Sequence, residues 1–227
     1  MTNQQQLQRT YQHLLAQSQP IRLIIGARET EQSGWISTNI DTLNLVRPSD
    51  WQACFTEDSI DSILAEHVWE HLNPEEAVQA AHTCYTYLKP GGYLRIAVPD
   101  GLHPSPPYLE WVKPNGVGPD AEDHKVMFTY KTLAVVFEQA GFEVQLLEYF
   151  DESGEFHHQP WEPDQGFIKR SRKFDPRNQI DQAESTDPVL CQWRNHLQAW
   201  PYPLDRHGQL NYTSIILDAW KPLNSSQ

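Results

Sequence analysis

Cysteine is scarce in this chain, and its arrangement excludes two classes of protein. The three cysteines, Cys54, Cys84 and Cys191, are odd in number, and no two of them form a Cys-x-x-Cys pair. Disulfide frameworks use even sets of cysteines, and cysteine-based zinc sites use closely spaced pairs. We therefore expect neither feature, and a reducing, cytoplasmic environment fits the composition best.

Long apolar runs are also missing. No stretch approaches the roughly 18 to 20 consecutive apolar residues that a membrane-spanning helix needs. The first ten residues, MTNQQQLQRT, contain no apolar core of a signal peptide. The sequence thus predicts neither membrane insertion nor export.

Positive charge is in short supply. Seventeen Lys and Arg residues face thirty Asp and Glu residues, which gives a formal net charge of −13. A field of this sign repels phosphate backbones and anionic lipids, so we expect no nucleic-acid partner and no membrane partner. One basic cluster at residues 169–173 interrupts the acidity. We interpret it as the solvated edge of a strand.

The apolar content is nevertheless sufficient for a folded domain. Of the 227 residues, 39% are hydrophobic, and the chain contains 8 Trp, 9 Tyr and 8 Phe. Because domains usually contain about 100 to 200 residues, we expect residues 1–227 to form a single domain around one core. The oligomeric state does not follow from the composition.

Predicted helices and strands alternate along the chain. Leu7, Tyr11, Leu14 and Leu15 form an apolar stripe that predicts a helix within residues 1–19. A second helix should begin at Asn73, which is a favourable N-cap followed by proline and two acids. A third helix is predicted over residues 129–140, and strands over residues 21–25, 35–40, 60–65, 93–98, 144–150 and 213–220. This alternation predicts an α/β fold whose mostly parallel sheet has helices on both faces.

One connection is far longer than the others. Residues 151–212 separate the last two predicted strands and are rich in Pro, His and Trp with little periodicity. Ordinary connections contain about 4 to 6 residues, and much longer ones are usually functional or disordered. We interpret residues 151–212 as an elaboration beside the functional site.

Two motifs lie where strands of the predicted sheet end. The first is EHVWEHL at residues 66–72, and the second is YLKPGGYLRIAVPD at residues 87–100. Together they closely resemble the later half of class I S-adenosylmethionine-dependent methyltransferases. The resemblance implies a Rossmann-like methyltransferase fold with seven strands, the last of which is antiparallel. It also implies that S-adenosylmethionine lies across the ends of the first strands.

The loop after the first predicted strand departs from this family's glycine-rich pattern. Gly26 matches the first glycine of the pattern, whereas Arg28 and Thr30 occupy the places of the other two. Ile24 stands where family members usually carry an acid. The guanidinium of Arg28 could pair with the cofactor carboxylate, or the side chain could fill the pocket and exclude the cofactor.

Three further polar residues are expected near the cofactor. By resemblance, Asn39 takes the place of the acid that usually binds the ribose, and Asp41 lies two residues later. Either side chain could hold the ribose hydroxyls, or the two could simply form an Asx-type turn. Glu66, directly after the third predicted strand, is expected to face the sulfonium or the acceptor.

Methyl transfer requires close approach of the reactants and, for some acceptors, a general base. Three histidines near strand ends, His67, His103 and His124, are the candidate bases. Each could instead be an ordinary surface or capping histidine.

Residues 67–71 also match His-x-x-Glu-His, the inverted zinc-protease motif. A zinc protease places both histidines on one continuous helix, whereas this segment joins a strand to a helix start. We therefore predict no metal site.

The function expected from the resemblance is methyl transfer from S-adenosylmethionine to a small polar acceptor, for which a sugar-like molecule is one hypothesis. The alternative is a non-enzymatic binding protein that keeps the fold and has lost the cofactor. The sequence names neither the acceptor nor the methylated atom.

Overall fold

The computed structural model describes residues 2–175, 178 and 213–223. The helices are α1 (Asn3–Ala16), α2 (Pro48–Cys54), α3 (Pro74–Tyr87), α4 (Pro106–Val112) and α5 (Tyr130–Gln139). The strands are β1 (Arg22–Ile25), β2 (Ile36–Ser37), β3 (Ile60–Glu66), β4 (Leu88–Pro99), β5 (Glu143–Phe150), β6 (Phe156–His158) and β7 (Ser214–Trp220). Every predicted helix and strand is present. The helices α2 and α4 and the short strand β6 were not predicted.

Local signals explain why the clearest prediction is accurate. The Asn73 side chain accepts a hydrogen bond from the Glu76 amide, and the Glu76 carboxylate accepts one from the Asn73 amide, each at 2.9 Å. Pro74 occupies the first turn of the helix. This capping box satisfies backbone amides that a helix start otherwise leaves unpaired, so α3 begins where its sequence predicts.

The seven strands form one sheet in the order β2-β1-β3-β4-β7-β5-β6. Strands β1 to β4 pair in parallel, and β7 pairs antiparallel with β4 on one side and β5 on the other. The antiparallel last strand that the resemblance implies is therefore confirmed. The remaining strand, β6, comes from the elaboration and pairs antiparallel with β5 at the edge of the sheet.

In the part of the chain that the structure describes, four of the helices lie on the same face of the sheet. Helices α1, α2, α3 and α5 bury their apolar sides in one cluster with alternate residues of the sheet, such as Leu23, Ile63 and Leu217. After β2, each successive parallel strand is added farther along the sheet, on the side nearer to β5. Because right-handed crossovers that move in the same direction across a sheet place their helices on the same face, these helices lie together. The only reversal, from β1 to β2, is a loop without a helix.

The opposite face of the sheet is covered by the elaboration. Ile24, Leu64 and Ile216 point to this side and pack with Ile168, and Trp161 lies against the same cluster. Within its described residues, this cover has little regular structure besides β6 and the 3-10 turn at Pro163–Gln165. The position of the elaboration therefore depends on individual side chains of the sheet.

Arg95 provides one of these attachments. It is fully buried in β4, and its Nε and Nη2 donate to the two carboxylate oxygens of Asp218 in β7, each at 2.8 Å. Its Nη1 donates to the carbonyls of Glu162 and Gly166 at 3.1 and 3.0 Å, and the guanidinium lies 5.0 Å from the Trp161 ring centre. One buried guanidinium thus joins two strands to the cover.

Glu148 of β5 makes a second attachment. Its Oε1 accepts from Trp161 Nε1 at 3.0 Å, and its Oε2 accepts from the Arg172 amide at 2.8 Å and from Thr213 Oγ1 at 2.7 Å. A buried carboxylate needs such donors to offset its lost hydration. In the described residues, no helix is both long and apolar enough to cross a membrane.

Candidate functional site

A cleft of about 730 Å³ opens at the carboxyl edge of the parallel strands. Its walls come from the ends of β1, β3 and β4, the loop after β1, residues 108–124 and residues 167–170. Ligands of open α/β sheets bind at this edge. The predicted site residues that line the cleft are Gly26, Arg28, Glu66, His67 and His124.

The loop after β1 keeps a backbone shape suited to glycine. Gly26 has φ +63°, and a Cβ built on it would lie 2.7 Å from Val68 Cγ2, so only glycine fits this position. Arg28 also has a left-handed conformation, with φ +50°, although it is not glycine. Such a conformation is costly for a long side chain and persists only where the surroundings impose it.

The Arg28 side chain lines the cleft and pairs with an acid of the opposite rim. Its Nη1 donates to Asp120 Oδ2 at 2.8 Å, and both side chains are partly exposed. The Arg28–Asp120 pair joins the loop after β1 to the opposite rim of the cleft. Its hydrogen bond lowers the pKa of Asp120 and raises that of Arg28.

The second-strand candidates lie outside the cleft lining. Asn39 Oδ1 accepts from the Arg28 amide at 2.7 Å, so its side chain holds the left-handed loop in place. Asp41 is exposed and accepts from Asn3 Nδ2 at 2.9 Å and from the neighbouring Thr42 hydroxyl at 3.3 Å. Thr42 and Leu43 donate their amides to the Asn39 backbone carbonyl, so this turn is closed by the backbone and not by the Asn39 side chain of an Asx-type turn.

Glu66 connects the cleft to the elaboration. Its two oxygens accept from the amides of Lys169 and Arg170 at 3.2 and 2.6 Å. These two basic residues line the cleft and lie in a turn. The interpretation of residues 169–173 as a strand edge is therefore wrong, because Glu66 holds this segment against the end of β3.

His67 lies between two polar side chains of the cleft wall. Its Nε2 is 3.0 Å from Ser214 Oγ, and its Nδ1 is 2.9 Å from Glu70 Oε1. His67 has φ +55°, another left-handed conformation at a residue other than glycine. Such outliers concentrate at functional sites.

Glu70 is fully buried beside His67. Neither carboxylate oxygen has a hydrogen-bond partner of acceptable geometry, so the short approach of His67 is an ion-pair contact without good alignment. Burial raises the pKa of the Glu70 carboxyl to about 7, although His71, His124 and Arg170 act to lower it.

The other two candidate bases have different environments. His124 is buried in the cleft wall, and its Nδ1 lies 2.6 Å from the Val112 carbonyl. His103 does not line the cleft. It is buried with its ring stacked on Tyr108 and against Phe150, and its Nδ1 accepts from the Ser105 amide at 3.1 Å. Its surroundings are those of a packing residue.

This arrangement of strands and cleft agrees with a comparison of sequences. Residues 10–147, more than half of the chain, match the methyltransferase domain family. The chain belongs to the methyltransferase domain family. The Rossmann-like methyltransferase fold class expected from the two motifs is confirmed.

Similar solved structures include several methyltransferases. A SAM-dependent methyltransferase from Archaeoglobus fulgidus has 13% identity and a TM-score of 0.47, covering 96% of this chain and 94% of the other. Phosphoethanolamine N-methyltransferase 2 of Haemonchus contortus, in complex with S-adenosyl-L-methionine, has 13% identity and a TM-score of 0.45, covering 94% of this chain and 52% of the other. No curated protein sequence matches the chain.

Sequence reasoning missed two participants in this methyltransferase-family cleft. Ser214 begins β7 and reaches His67 from 147 positions away along the chain, and no local signal indicates that contact. Asp120 has φ +64° in a polar loop and meets Arg28 across 92 positions. The left-handed conformation of Arg28 was detectable in principle, because Arg28 occupies a glycine position of the family pattern.

Proposed function

We propose that the chain transfers a methyl group from S-adenosylmethionine to a small polar acceptor. The observation that carries this proposal is the loop after β1. Its backbone keeps left-handed conformations at Gly26 and Arg28 beside a cleft at the carboxyl edge, although the second glycine of the pattern is absent. If the loop had no function, a change that let residue 28 leave its left-handed backbone conformation would stabilise the fold.

Gly26 and the Arg28 backbone would form the floor against which the cofactor lies. The Arg28 guanidinium would bind the cofactor carboxylate, for which it would have to exchange its present partner Asp120. Asn39 would act through the loop that it holds, and Glu66 through the segment 169–170 that it fixes. A direct role of Asp41 at the ribose stays a prediction.

S-adenosylmethionine supplies an electrophilic methyl group when bound, so the protein has to orient the acceptor and accept its proton. We assign the proton to His67 Nε2, which would exchange its present partner Ser214 for the acceptor. It lines the cleft, and the carboxylate of Glu70 near its Nδ1 would stabilise the charged imidazole that forms. His103 is not part of this assignment, because its ring packs away from the cleft.

The charges of the cleft support a polar acceptor. Acidic side chains of Glu29 and Glu31 and basic side chains of Lys169 and Arg170 line the same space. Nothing in this lining selects a sugar over another polar molecule.

We further propose that residues 1–227 form one domain with residues 151–212 as its elaboration, and that it acts in the cytoplasm without a nucleic-acid partner.

Calorimetric titration of the full chain with S-adenosylmethionine and S-adenosylhomocysteine tests the cofactor. We expect saturable binding of both compounds. Arg28→Ala should weaken binding by about tenfold to a hundredfold, the usual worth of a hydrogen bond to a charged group. Arg47→Ala is the matched control, since Arg47 pairs with Asp50 at the start of α2 and does not line the cleft.

A second variant separates the two orientations of Arg28. Asp120→Asn removes the competing carboxylate, so binding should tighten if Arg28 holds the cofactor. If Arg28 blocks the cleft instead, Arg28→Gly should create or strengthen binding. Absence of heat and of thermal stabilisation at millimolar ligand would favour the alternative, a binding protein that has lost the cofactor.

A further inference from the structure

Three side chains in the cleft wall bring their donor atoms together. One donor atom from each of Glu70, His71 and His124 lies within 4.8 Å of the others. Glu70 and His71 belong to the 3-10 turn Trp69–His71 after β3, and His124 follows the 3-10 turn Ala121–Asp123. All three residues line the cleft.

Glu70 is the member that most needs a ligand. Its side chain is fully buried, and neither carboxylate oxygen accepts a well-formed hydrogen bond. A buried carboxylate without such bonds is costly, and a cation is a partner that offsets the cost. His67 approaches only Oε1, and its own Nε2 lies against Ser214. The carboxylate therefore has an oxygen left for another partner.

His124 has the orientation of a metal-binding histidine. Its Nδ1 lies 2.6 Å from the Val112 carbonyl oxygen, which can only accept, so Nδ1 carries the proton and donates. Nε2 is then left with a lone pair. Histidines that bind metals usually donate their other ring nitrogen to a carbonyl or carboxylate in this way. The ring of His71 packs edge-on against that of His124, with 4.8 Å between the ring centres.

The two turns that carry these side chains are fixed to each other. The Glu70 carbonyl accepts from the amides of Lys125 and Val126 at 2.7 and 3.3 Å, directly after His124. The Trp69 ring beside Glu70 is fully buried, and its Nε1 donates to the Ala77 carbonyl at 3.2 Å. The donor set is thereby held in place before any ion arrives, as a metal site requires.

We propose that Glu70, His71 and His124 bind a divalent transition-metal ion of the zinc class. Two imidazoles and one carboxylate are a common ligand set for catalytic zinc and for related ions, and such a site keeps a coordination position for another ligand. Because all three residues line the cleft, that further ligand would reach the ion from the cleft. The set differs from the His-x-x-Glu-His motif, since His67 is not a member and His124 comes from a distant turn. This proposal departs from the prediction of no metal made from the sequence.

The test is a titration of the full chain with Co²⁺ after treatment with a chelator, followed through the visible absorption of the bound Co²⁺. Zn²⁺ is then added as a competitor. We expect about one ion per chain and a raised melting temperature in its presence. Glu70→Gln, His71→Ala and His124→Ala should each weaken Co²⁺ binding by at least about tenfold and alter the absorption bands. The three variants should still bind S-adenosylhomocysteine if the cofactor proposal is correct, so the two proposals can fail separately.

A matched control uses the second group of metal-type ligands among the described residues, formed by Asp151, Glu155 and His157. Its members are partly exposed, and His157 Nε2 already bonds Asp151. His157→Ala should leave Co²⁺ affinity unchanged within about twofold. Where an alanine variant loses its folded circular-dichroism spectrum, His71→Asn and His124→Asn replace it. Absence of stoichiometric binding, or loss of binding in His157→Ala with retention in His124→Ala, would overturn the proposal.

Discussion

The two faces of the sheet are covered by different means. On one face, helices α1, α2, α3 and α5 pack through apolar side chains such as Tyr11, Leu133 and Phe137. On the other, an irregular segment lies over a small apolar cluster and is attached by charged side chains of the strands, namely Arg95, Glu148 and Glu66. A helix satisfies its own backbone, whereas an irregular segment needs partners for its amides and carbonyls.

This difference also determines how the cleft is built. The charged attachments hold residues 166–170 at the carboxyl edge, where Phe167, Lys169 and Arg170 line the cleft. The helical face supplies the rigid frame, and the opposite face supplies one wall of the site. A substitution on the helical face should therefore lower global stability without moving that wall. A substitution in the attachments of the other face should move the wall.

The largest effect is expected from Arg95→Ala. Asp218 would remain as an uncompensated buried charge, and breaking a buried pair in this way costs about 3 to 5 kcal/mol. Urea unfolding measures the loss. The double variant Arg95→Met/Asp218→Leu should recover most of it while leaving the Glu162 and Gly166 carbonyls without their donor, so proteolysis within residues 161–175 should accelerate. A single-variant cost below about 1 kcal/mol would contradict the buried pair, and unchanged proteolysis in the double variant would show that Arg95 does not hold the cover.

On the helical face, Leu133→Ala should lower the free energy of unfolding by about 3 kcal/mol, because it leaves a cavity in a closely packed core. Leu133 is fully buried in α5. Below the unfolding transition, proteolysis within residues 161–175 should keep its wild-type rate. Faster cleavage there under conditions in which the variant stays folded would contradict the separation of the two faces.

Asp100 is a buried carboxylate that accepts hydrogen bonds from backbone amides, whereas Asp218 accepts them from the Arg95 guanidinium. The oxygens of Asp100 accept from the Leu102 and Phe150 amides at 2.8 Å each, and burial raises its pKa from 3.8 to about 6. The native state therefore binds more protons than the unfolded state between about pH 4 and pH 6, and stability should fall as pH rises through this window. The loss is on the order of 3 kcal/mol. Asp100→Asn should remove this part of the pH dependence, which urea unfolding at several pH values measures. An identical pH profile in the variant would contradict the assignment.

The smallest effect is expected from Glu66→Gln. The amide oxygen can still accept one backbone hydrogen bond, so the cost is that of a weakened charge-assisted contact, about 1 kcal/mol. Proteolysis near Lys169 should accelerate, while urea unfolding should show only a small shift. Glu57→Gln is the control, since Glu57 lies in an exposed turn away from the cleft. Equal proteolysis rates in both variants would exclude Glu66 as an attachment.

The sequence predicted what local patterns encode. The start of α3 depends on neighbouring residues, and the alternation of strands and helices predicted the fold class and its parallel order. Placing the helices required knowing that the loop of residues 26–35 holds no helix. The role of Arg95 was hidden for a different reason. A charged residue inside an apolar strand becomes explicable only when Asp218 lies beside it across 123 positions of sequence.

The candidate site was predictable to a similar degree. Gly26, Glu66 and His67 follow strand ends, so the topology of the sheet brings them to one edge. Asn39 and Asp41 follow a strand of only two residues, and their side chains hold the loop and α1 instead. The meeting of Glu70 with His124 depends on two short turns without periodicity. Packing of those turns is a tertiary property that no local pattern contains.

Amide hydrogen exchange with and without S-adenosylhomocysteine tests most directly whether the cofactor binds between the loop after β1 and the attached cover. We expect slower exchange in residues 26–31 and 166–170, the two walls of the cleft, and unchanged exchange in α3. In Arg28→Ala, the same regions should become protected only at a higher concentration of S-adenosylhomocysteine. Absence of protection in both walls at saturating ligand, or protection confined to the helical face, would contradict the account.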